Sequence, residues 1–399
     1  MKQYLSNRLE RLSESQTLLM TKKCRELQSQ GIDIINLSIG EPDFYTPDFV
    51  KQAAIDAINN NFTYYTPVSG IIELKKAIAE KLKSENNLSY LPSQILVSTG
   101  AKQSLANVIL SLADHNQEVI IPAPYWVTYI ELVKMANAVP VIIETSIEND
   151  YKVTPKQLES VITDNSKLFV FSSPCNPSGS LYSKEELAEL VKVFVKYPNL
   201  FIISDEIYEY INYTGVNHAS IAEFDEIKSR VIVVNGVSKG FAMTGWRIGY
   251  IAAEQWIVDA CDKLQGQITS GTCSIAQKAA TAAILKGRSE VSYMIDAFKK
   301  RKNITIEKLS NIKGLKTNDP KGAFYVFPDI SYFIGKKYDD ITINSSEDLA
   351  IYLLNYAHVA TVSGDAFGNP DCIRFSYATS EEKIIEAIDR IKKALEKLV

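Results

Sequence analysis

The sequence predicts an α/β fold in which a mainly parallel sheet lies between helices, over roughly residues 46–290. Short runs rich in β-branched and aromatic residues are mostly continuous apolar rather than alternating, and helical segments separate many of them. A strand that is apolar on both sides is buried on both faces, which is the usual position of a strand in a parallel sheet. The strand-like runs are residues 95–97, 118–121, 139–143, 168–171, 200–203 and 231–234.

Helices are predicted where apolar residues recur at helical spacing next to turn residues. These segments are residues 18–28, 50–58, 74–82 and 187–195. Further along the chain, residues 274–309 predict one or two long helices, and residues 323–327 and 372–376 predict strands flanked by helices. This sparser α+β pattern after the densely spaced strands predicts a second, smaller domain.

The composition is that of a globular enzyme acting on small molecules. A chain of 399 residues with 46% hydrophobic content is long enough for two domains and a large core. Lys and Arg number 43 against 47 Asp and Glu, and the two signs are interspersed. The net charge of −4 and the absence of basic blocks therefore predict no nucleic-acid partner.

Cysteine and histidine usage predicts neither a disulfide framework nor a metal centre. The five cysteines are odd in number and scattered, without a Cys-x-x-Cys pair, which suits a reducing compartment. The three histidines are far apart in the chain, so few metal ligands are available together. The N-terminus lacks the apolar region of a signal peptide, and every stretch of membrane-helix length carries charge. We expect a cytoplasmic protein with no membrane segment.

Lys239 is the first candidate catalytic residue. It follows the strand-like run 231–234 through small residues, so it emerges past a strand end, where α/β proteins place ligands. A solvated surface lysine is the alternative, but the small and apolar neighbours argue against it. A lysine amine can form a Schiff base with an aldehyde, and Arg247, two helical turns further on, can hold a phosphate. Pyridoxal phosphate requires both anchors.

A second turn, containing Gly100, Ala101 and Lys102, follows the first strand-like run and opens a helix. Free backbone N–H groups at the start of a helix commonly bind phosphate. The spacing matches neither the nucleotide P-loop nor the dinucleotide motif. Two alternatives stay open for this sequence alone, an ordinary strand-to-helix turn and a lysine left in solvent.

Other strand ends carry side chains suited to a flat, electron-withdrawing ring. Asp205 and Tyr208 follow one apolar run, and a buried carboxylate keeps a ring nitrogen protonated. Trp126 follows another run and can stack on a ring, while Asn176 offers an amide in a proline-rich turn. The alternatives are a helix N-cap for Asp205, a core position for Trp126 and a plain Asn-Pro turn for Asn176.

Arg374 places a cation inside the apolar run 372–376. A buried guanidinium requires an anion, and its planar fork matches a carboxylate with two parallel hydrogen bonds. Arg374 is therefore a candidate for binding a substrate carboxylate. A structural ion pair with an acidic neighbour is the alternative.

Residues 236–249 resemble the lysine signature of the class I aminotransferases of fold type I at their small, apolar and basic positions. The resemblance extends from Gly40 to Arg374, with the separate motifs in the order of that family. It implies a pyridoxal-phosphate enzyme whose large domain contains a seven-stranded, mainly parallel sheet.

The same resemblance implies how the chain divides into domains. Residues 46–290 would form the large cofactor-binding domain. Residues 1–45 and 291–399 would join in one small, mobile α+β domain, an association that the residue pattern alone does not indicate.

The resemblance also implies a role for each candidate residue. Lys239 would hold the cofactor and then act as acid and base. The implied binding sets are Gly100, Ala101, Lys102 and Arg247 for the phosphate, Trp126, Asn176, Asp205 and Tyr208 for the ring, and Gly40, Lys102, Trp126, Asn176 and Arg374 for the substrate. Within these sets Asp205 pairs with the ring nitrogen, and Tyr208 and Asn176 contact the ring oxygen. Arg374 and the Gly40 backbone bind the α-carboxylate.

Tyr65 matches the tyrosine of that family that reaches the cofactor phosphate of the neighbouring subunit. The resemblance therefore implies a homodimer with shared active sites, and an ordinary loop tyrosine is the alternative. Ser178 stands where threonine is commoner in the family, a departure that leaves Asn176 unaffected.

The implied reaction is a ping-pong transamination between an amino acid and a 2-oxo acid. Aspartate or glutamate, with oxaloacetate or 2-oxoglutarate, is predicted because Lys102 follows the phosphate turn as in the bacterial aspartate aminotransferases, where this lysine meets the distal carboxylate. Aromatic amino acids, alanine or prephenate stay open as substrates.

Other activities on the same fold are a C–S lyase, an acyl-transferring oxoamine synthase and a cyclopropane-forming synthase. A non-catalytic regulator is disfavoured, because the motifs begin at Gly40 and leave no room for an N-terminal DNA-binding module.

Overall fold

The structure, a computed structural model, describes residues 4–14 and 16–399. The helices within this part of the chain are α1 Asn7–Glu10, α2 Gln16–Ser29, α3 Asp48–Asn59, α4 Ile72–Asn86, α5 Ala101–Leu112, α6 Thr128–Met135, α7 Pro155–Val161, α8 Lys184–Phe194, α9 Asp225–Lys228, α10 Gln255–Ile268, α11 Ser274–Lys286, α12 Ser292–Ser310, α13 Ser346–Tyr352 and α14 Glu381–Leu395. None of these described helices combines the length and the apolar character needed to span a membrane.

The strands of the same residues are β1 Ile35–Asn36, β2 Ile95–Ser98, β3 Glu118–Ala123, β4 Val139–Glu144, β5 Ser166–Ser172, β6 Phe201–Asp205, β7 Val231–Gly236, β8 Gly249–Ala252, β9 Tyr325–Val326, β10 Lys337–Tyr338, β11 Ile341–Thr342, β12 Val359–Ala360, β13 Val362–Ser363 and β14 Ile373–Ser376. Each strand-like run of the sequence coincides with one of them.

The central sheet has seven strands in the order β2-β8-β7-β6-β5-β3-β4. All neighbouring pairs from β7 to β4 are parallel, which confirms the predicted mainly parallel sheet. The strand of this sheet that was not predicted is β8, which is antiparallel to both of its neighbours. Its first residue, Gly249, is required by close packing, since a Cβ there would lie 2.2 Å from the backbone nitrogen of Ala101.

Helix boundaries follow from local sequence. Thr154 and Ser183 cap α7 and α8, each in a capping box with the residue three positions later. The predicted helical segment 274–309 divides into α11 and α12, because Gly287 adopts a φ of +76° and ends the first helix.

Two large apolar clusters cover the two faces of the central sheet. Ile95 and Val97 of β2 point into one cluster, whereas Leu96 points into the other. This alternation, with both sides buried, explains why the strands read as continuous apolar runs. Because both faces are covered, the polar residues available for binding and chemistry are those at the carboxyl ends of the strands.

The N-terminal segment contacts the C-terminal part of the chain directly. Strand β1 pairs in parallel with β12, and β13, β14 and β9 form a separate antiparallel sheet. We keep the division into residues 46–290 and residues 1–45 with 291–399 as a proposal. Residues 1–3 and 15 of the predicted small domain lie outside the described part of the chain.

Candidate active site

A cavity of about 290 Å³ lies at the carboxyl ends of β5, β6 and β7. The predicted residues that line it from the large sheet and its turns are Ala101, Lys102, Trp126, Asn176, Asp205 and Tyr208. The lining is completed, among the predicted residues, by Gly40, Lys239, Arg247 and Arg374. Residues distant in sequence therefore meet in one pocket.

Lys239 reaches the pocket from the turn after β7. Its Nζ donates a hydrogen bond to the carbonyl oxygen of Gly40 at 2.6 Å. Burial lowers the pKa of Lys239 to about 8, although Glu41 acts in the opposite direction. The amine is therefore partly neutral near physiological pH, which suits both attack on a carbonyl and proton transfer.

One end of the pocket is a cationic cradle at the start of α5. Gly100 has a φ of +79°, and a Cβ there would lie 2.3 Å from Nη2 of Arg247, so only glycine lets the guanidinium approach the backbone this closely. The N–H groups of Ala101 and Lys102 donate to no other atom of the described residues. Two free donors, a helix N-terminus and a guanidinium together match a phosphate.

Asp205 is buried at the end of β6 and is held by two hydrogen bonds. The Tyr129 hydroxyl donates to Oδ2 at 2.6 Å and the Ile207 N–H donates to Oδ1 at 3.2 Å. Burial raises the pKa of Asp205 to about 6, although both hydrogen bonds act in the opposite direction. A carboxylate in this position favours a cation beside it, as a protonated ring nitrogen would be.

Arg374 is buried against aromatic rings. Its Nη1 donates to Oδ1 of Asn176 at 2.9 Å and its Nη2 donates to the carbonyl oxygen of Ser38 at 2.6 Å. Its Nε has no hydrogen-bond partner, and no carboxylate among residues 4–14 and 16–399 pairs with it. Arg374 therefore forms no structural ion pair within the described residues. Its guanidinium group can still donate hydrogen bonds to an anion.

Three further predicted residues, Trp126, Lys102 and Tyr208, bring an indole ring, an amine and a hydroxyl to the pocket. Trp126 packs edge-on against Tyr129, with ring centroids 5.6 Å apart. The Lys102 Nζ lies 5.1 Å from the centre of the Trp126 ring, and burial, with a contribution from Arg247, lowers the pKa of Lys102. Lys102 thus lines the pocket while its side chain stays exposed to solvent. The hydroxyl of Tyr208 contacts the hydroxyl of Tyr325 at 2.8 Å.

Tyr65 lies outside the pocket of its own chain. Its side chain is 99% exposed, so within one chain it contacts none of the other predicted residues. Its predicted role concerns a partner subunit.

Eight of the residues that line the pocket were not predicted, and two of these, Tyr129 and Tyr325, are buried tyrosines. Both line the cavity and both are buried tyrosines with hydroxyl partners far away in sequence. A weak signal existed for Tyr129, which follows Trp126 closely at the same strand end. No comparable signal marked Tyr325.

The donor groups of the pocket fit pyridoxal phosphate. The cradle that a Cβ at Gly100 would fill supplies N–H donors and a guanidinium for a phosphate. A buried carboxylate, a partly neutral lysine and a tryptophan lie beyond it in the same cavity. A seven-stranded, mainly parallel sheet with this set at one edge is the architecture of the fold type I pyridoxal-phosphate enzymes.

Comparison with known proteins shows which enzymes of this fold the chain is similar to. The aspartate aminotransferase of Rhizobium meliloti superposes with a TM-score of 0.96 at 38% identity, over 99% of both chains. The aspartate aminotransferase of Thermus thermophilus, solved with maleate, gives 0.92 at 37% identity, over 98% of this chain and 99% of the other.

A third relative is the bifunctional aspartate aminotransferase and glutamate/aspartate-prephenate aminotransferase of Petunia hybrida. It is 46% identical over 395 residues, which are 98% of this chain and 82% of the relative. The family model described as aminotransferase class I and II matches residues 32–391. The chain belongs to this family of pyridoxal-phosphate-dependent enzymes.

Proposed function

We propose that the protein moves an amino group between aspartate or glutamate and a 2-oxo acid, oxaloacetate or 2-oxoglutarate, with pyridoxal phosphate as its cofactor. The observation that carries this proposal is the position of Lys239. Its amine, with a lowered pKa, lies in one cavity with the phosphate-type cradle at Gly100 and Arg247 and with the buried guanidinium of Arg374.

When bound, pyridoxal phosphate supplies an aldehyde for amines and a ring that withdraws electrons from the substrate Cα. Arg247 and the N–H groups of Ala101 and Lys102 would hold its phosphate, since they lie together and the two N–H groups have no acceptor among the described residues. Asp205 would keep the ring nitrogen protonated, Tyr208 and Asn176 would donate to the ring oxygen, and Trp126 would contact the ring.

Lys239 acts twice in this proposal. Its Nζ would hold the cofactor, and the same amine would take the proton from the substrate Cα. An amine whose pKa is about 8 is close to the ordinary operating pH, which is the condition for an effective general base. The hydrogen bond to the Gly40 carbonyl directs the amine across the pocket.

Two cations would select a dicarboxylic substrate. Arg374 binds the α-carboxylate through its fork, assisted by the Gly40 backbone, and Lys102 meets the distal carboxylate. The names of the relatives, aspartate aminotransferase in each case, agree with this choice. The name of the Petunia relative adds prephenate, which also carries two carboxylates and is the second candidate acceptor.

The proposal is tested by following the absorbance of the cofactor-loaded protein as single amino acids are added. Loss of the band with aspartate and glutamate, but not with alanine or phenylalanine, is the expected result. A lyase would instead release ammonia and pyruvate without any 2-oxo acid acceptor, and product analysis detects this. A protein that stays colourless with pyridoxal phosphate would refute the proposal.

Replacing Lys102 with alanine is expected to lower kcat/KM for aspartate about 10- to 100-fold, the value of a hydrogen bond to a charged group, about 1.5–3 kcal/mol. The much lower rate with alanine as amino donor should change little, because alanine has no distal carboxylate. The backbone N–H that faces the phosphate is kept in the variant. Steady-state kinetics with both donors measure the effect.

Lys156→Ala is the matched control for this change, since Lys156 is an exposed lysine at the second position of α7, as Lys102 is in α5. It should leave both donors unaffected. An unchanged aspartate rate in Lys102→Ala would remove the dicarboxylate assignment while leaving transamination itself intact.

The covalent uptake of pyridoxal phosphate is expected to depend on pH through Lys239. Only the neutral amine attacks an aldehyde, and burial lowers the pKa of Lys239 to about 8. The uptake rate should therefore rise about tenfold per pH unit up to that value and then level off. Rapid mixing of cofactor-free protein with pyridoxal phosphate measures it, and a rise that continues to about pH 10, as for an ordinary lysine, would contradict the assignment.

We further infer a cytoplasmic homodimer with shared active sites. The 99% exposed Tyr65 is available to a second copy of the chain, and its implied partner is the phosphate bound in that copy. The molar mass in solution distinguishes a dimer from a monomer.

A further inference from the structure

Tyr325 is a buried pocket residue to which no function has been assigned above. It lies on β9 with none of its side chain exposed, and it lines the cavity. Its ring and its hydroxyl contact different members of the candidate site. Its position is therefore more specific than that of an ordinary core aromatic.

The hydroxyl of Tyr325 contacts the hydroxyl of Tyr208 at 2.8 Å. Within residues 4–14 and 16–399 neither hydroxyl makes another hydrogen bond. Each phenol has a single proton, so only one of the two can donate across this contact. If Tyr325 donates, the proton of Tyr208 is free to point into the pocket.

If Tyr208 instead donated to Tyr325, the proton of Tyr325 would have no acceptor among the described residues. Its oxygen faces Gly40, where a Cβ would lie 2.9 Å away. Gly40 thus has room for the hydroxyl only because it lacks a side chain, and its carbonyl oxygen already accepts from Lys239 at 2.6 Å.

The ring of Tyr325 supports the guanidinium of Arg374. The Cζ atom of Arg374 lies 4.5 Å from the centre of this ring and 4.9 Å from the centre of the Phe367 ring. Contact of a cation with aromatic faces is favourable, and more so when water is excluded, as it is here. The two rings restrict the plane of the fork that would receive a carboxylate.

We propose that Tyr325 is a positioning residue that serves both halves of the site: its hydroxyl donates to Tyr208 and so directs the Tyr208 proton to the ring oxygen, and its ring orients Arg374 for the substrate carboxylate. This inference rests on the proposed function. Tyr325 acts through these two residues and takes no part in proton transfer itself.

Two substitutions separate the hydroxyl from the ring. Tyr325→Phe removes only the donor to Tyr208, and Tyr325→Leu also removes the aromatic face beside Arg374. The matched control is Tyr377→Phe, because the Tyr377 side chain is equally buried and its hydroxyl bonds to Tyr213 and the Ala323 carbonyl outside the cavity. All variants are loaded with pyridoxal phosphate.

The first measurement is the pH midpoint at which the absorption band of the bound cofactor changes. A donor to the ring oxygen stabilises its negative charge and favours loss of the neighbouring proton. A weaker donor should therefore raise the midpoint, and we expect a rise of about 0.5 in Tyr325→Phe, roughly half the effect of losing one hydrogen bond. Tyr377→Phe should match the wild type.

A double variant tests whether Tyr325 acts through Tyr208. In a Tyr208→Phe background the further change Tyr325→Phe should leave the midpoint where Tyr208→Phe alone puts it. A full additional shift in that background, or a midpoint in Tyr325→Phe equal to the wild-type value, would overturn the hydroxyl role.

The second measurement is the binding of maleate, a dicarboxylate, followed by the same absorption band. Tyr325→Phe keeps the ring and should bind within about twofold of the wild type, whereas Tyr325→Leu should bind about tenfold more weakly. Equal weakening in both variants would overturn the role of the ring. If Tyr325→Leu does not fold, unchanged maleate binding in Tyr325→Phe supports the ring and weakened binding refutes it.

Failure of the proposed function gives a different result. A wild-type protein that forms no absorbing complex through Lys239 would refute that function and this inference together. A wild-type complex that forms normally while Tyr325→Phe changes nothing would refute only the inference.

Discussion

Replacing Lys239 with alanine is expected to abolish transamination, with a loss of at least about 10⁴-fold in kcat. General acid–base catalysis alone contributes up to about this factor, and the same amine is also the proposed covalent anchor. No other described lysine lies in the cavity except Lys102, whose Nζ is placed over the Trp126 ring. Single-turnover rates with aspartate measure the loss.

Lys239→Arg separates charge from nucleophilicity. Arginine keeps the positive charge but offers no neutral amine at any ordinary pH, so it should be as inactive as alanine. The exposed Lys299 on α12 provides the control, since Lys299→Ala removes a lysine that does not line the cavity and should leave the rate unchanged. Borohydride reduction should label Lys239 in the wild type, and labelling of a different side chain would contradict the assignment.

Replacing Asp205 with asparagine is expected to lower kcat/KM about 10²- to 10⁴-fold. Removing one charge of a buried ion pair costs about 3–5 kcal/mol, and here the proposed partner is the protonated ring nitrogen. Asparagine has nearly the same shape and keeps an acceptor for the Tyr129 hydroxyl or for the Ile207 N–H. The loss should therefore come from charge and not from packing.

The same substitution should have a distinct effect on the stability of the cofactor-free protein. Burial raises the pKa of Asp205 to about 6, above the value of 3.8 expected in the unfolded chain. The folded state thus binds the proton more tightly, so this group's stabilising contribution is present below about pH 4 and is lost as the pH rises through 6. Asparagine has no such dependence.

Urea unfolding at several pH values measures this difference. The stability of the wild type relative to Asp205→Asn should fall between about pH 4 and pH 7, with most of the change between about pH 4 and pH 6. Asp259→Asn, at an exposed position of α10, is the control and should follow the wild type. A relative stability that rises over this range would mean that Asp205 has a lowered pKa in the folded chain.

Much of the site was predictable because its residues follow strands. Asp205, Asn176, Trp126 and Lys239 each come shortly after an apolar run, and the carboxyl ends of parallel strands share one edge of a sheet. The structure brings all four to one cavity. Their spacing along the chain was therefore enough to expect a common site, although not the role of each residue.

The features of the site and of the fold that the sequence did not predict depend on contacts between distant segments of the chain. Tyr129 donates to a carboxylate 76 positions away, and Tyr325 meets a hydroxyl 117 positions away. Strand β8 was missed because its short run begins with Gly249 and ends with alanine, which are weak strand formers. It is stabilised by its hydrogen bonds to β2 and β7 on either side.

By itself the sequence determined the class of fold, the chemical groups at the strand ends and the order of the motifs, since apolar periodicity and residue type are local properties of the chain. Tertiary structure alone decided which groups share a cavity, how close Arg247 comes to Gly100, and that the pKa of Lys239 falls while that of Asp205 rises. Both pKa changes arise from burial, and burial exists only when segments far apart in sequence pack together and exclude water.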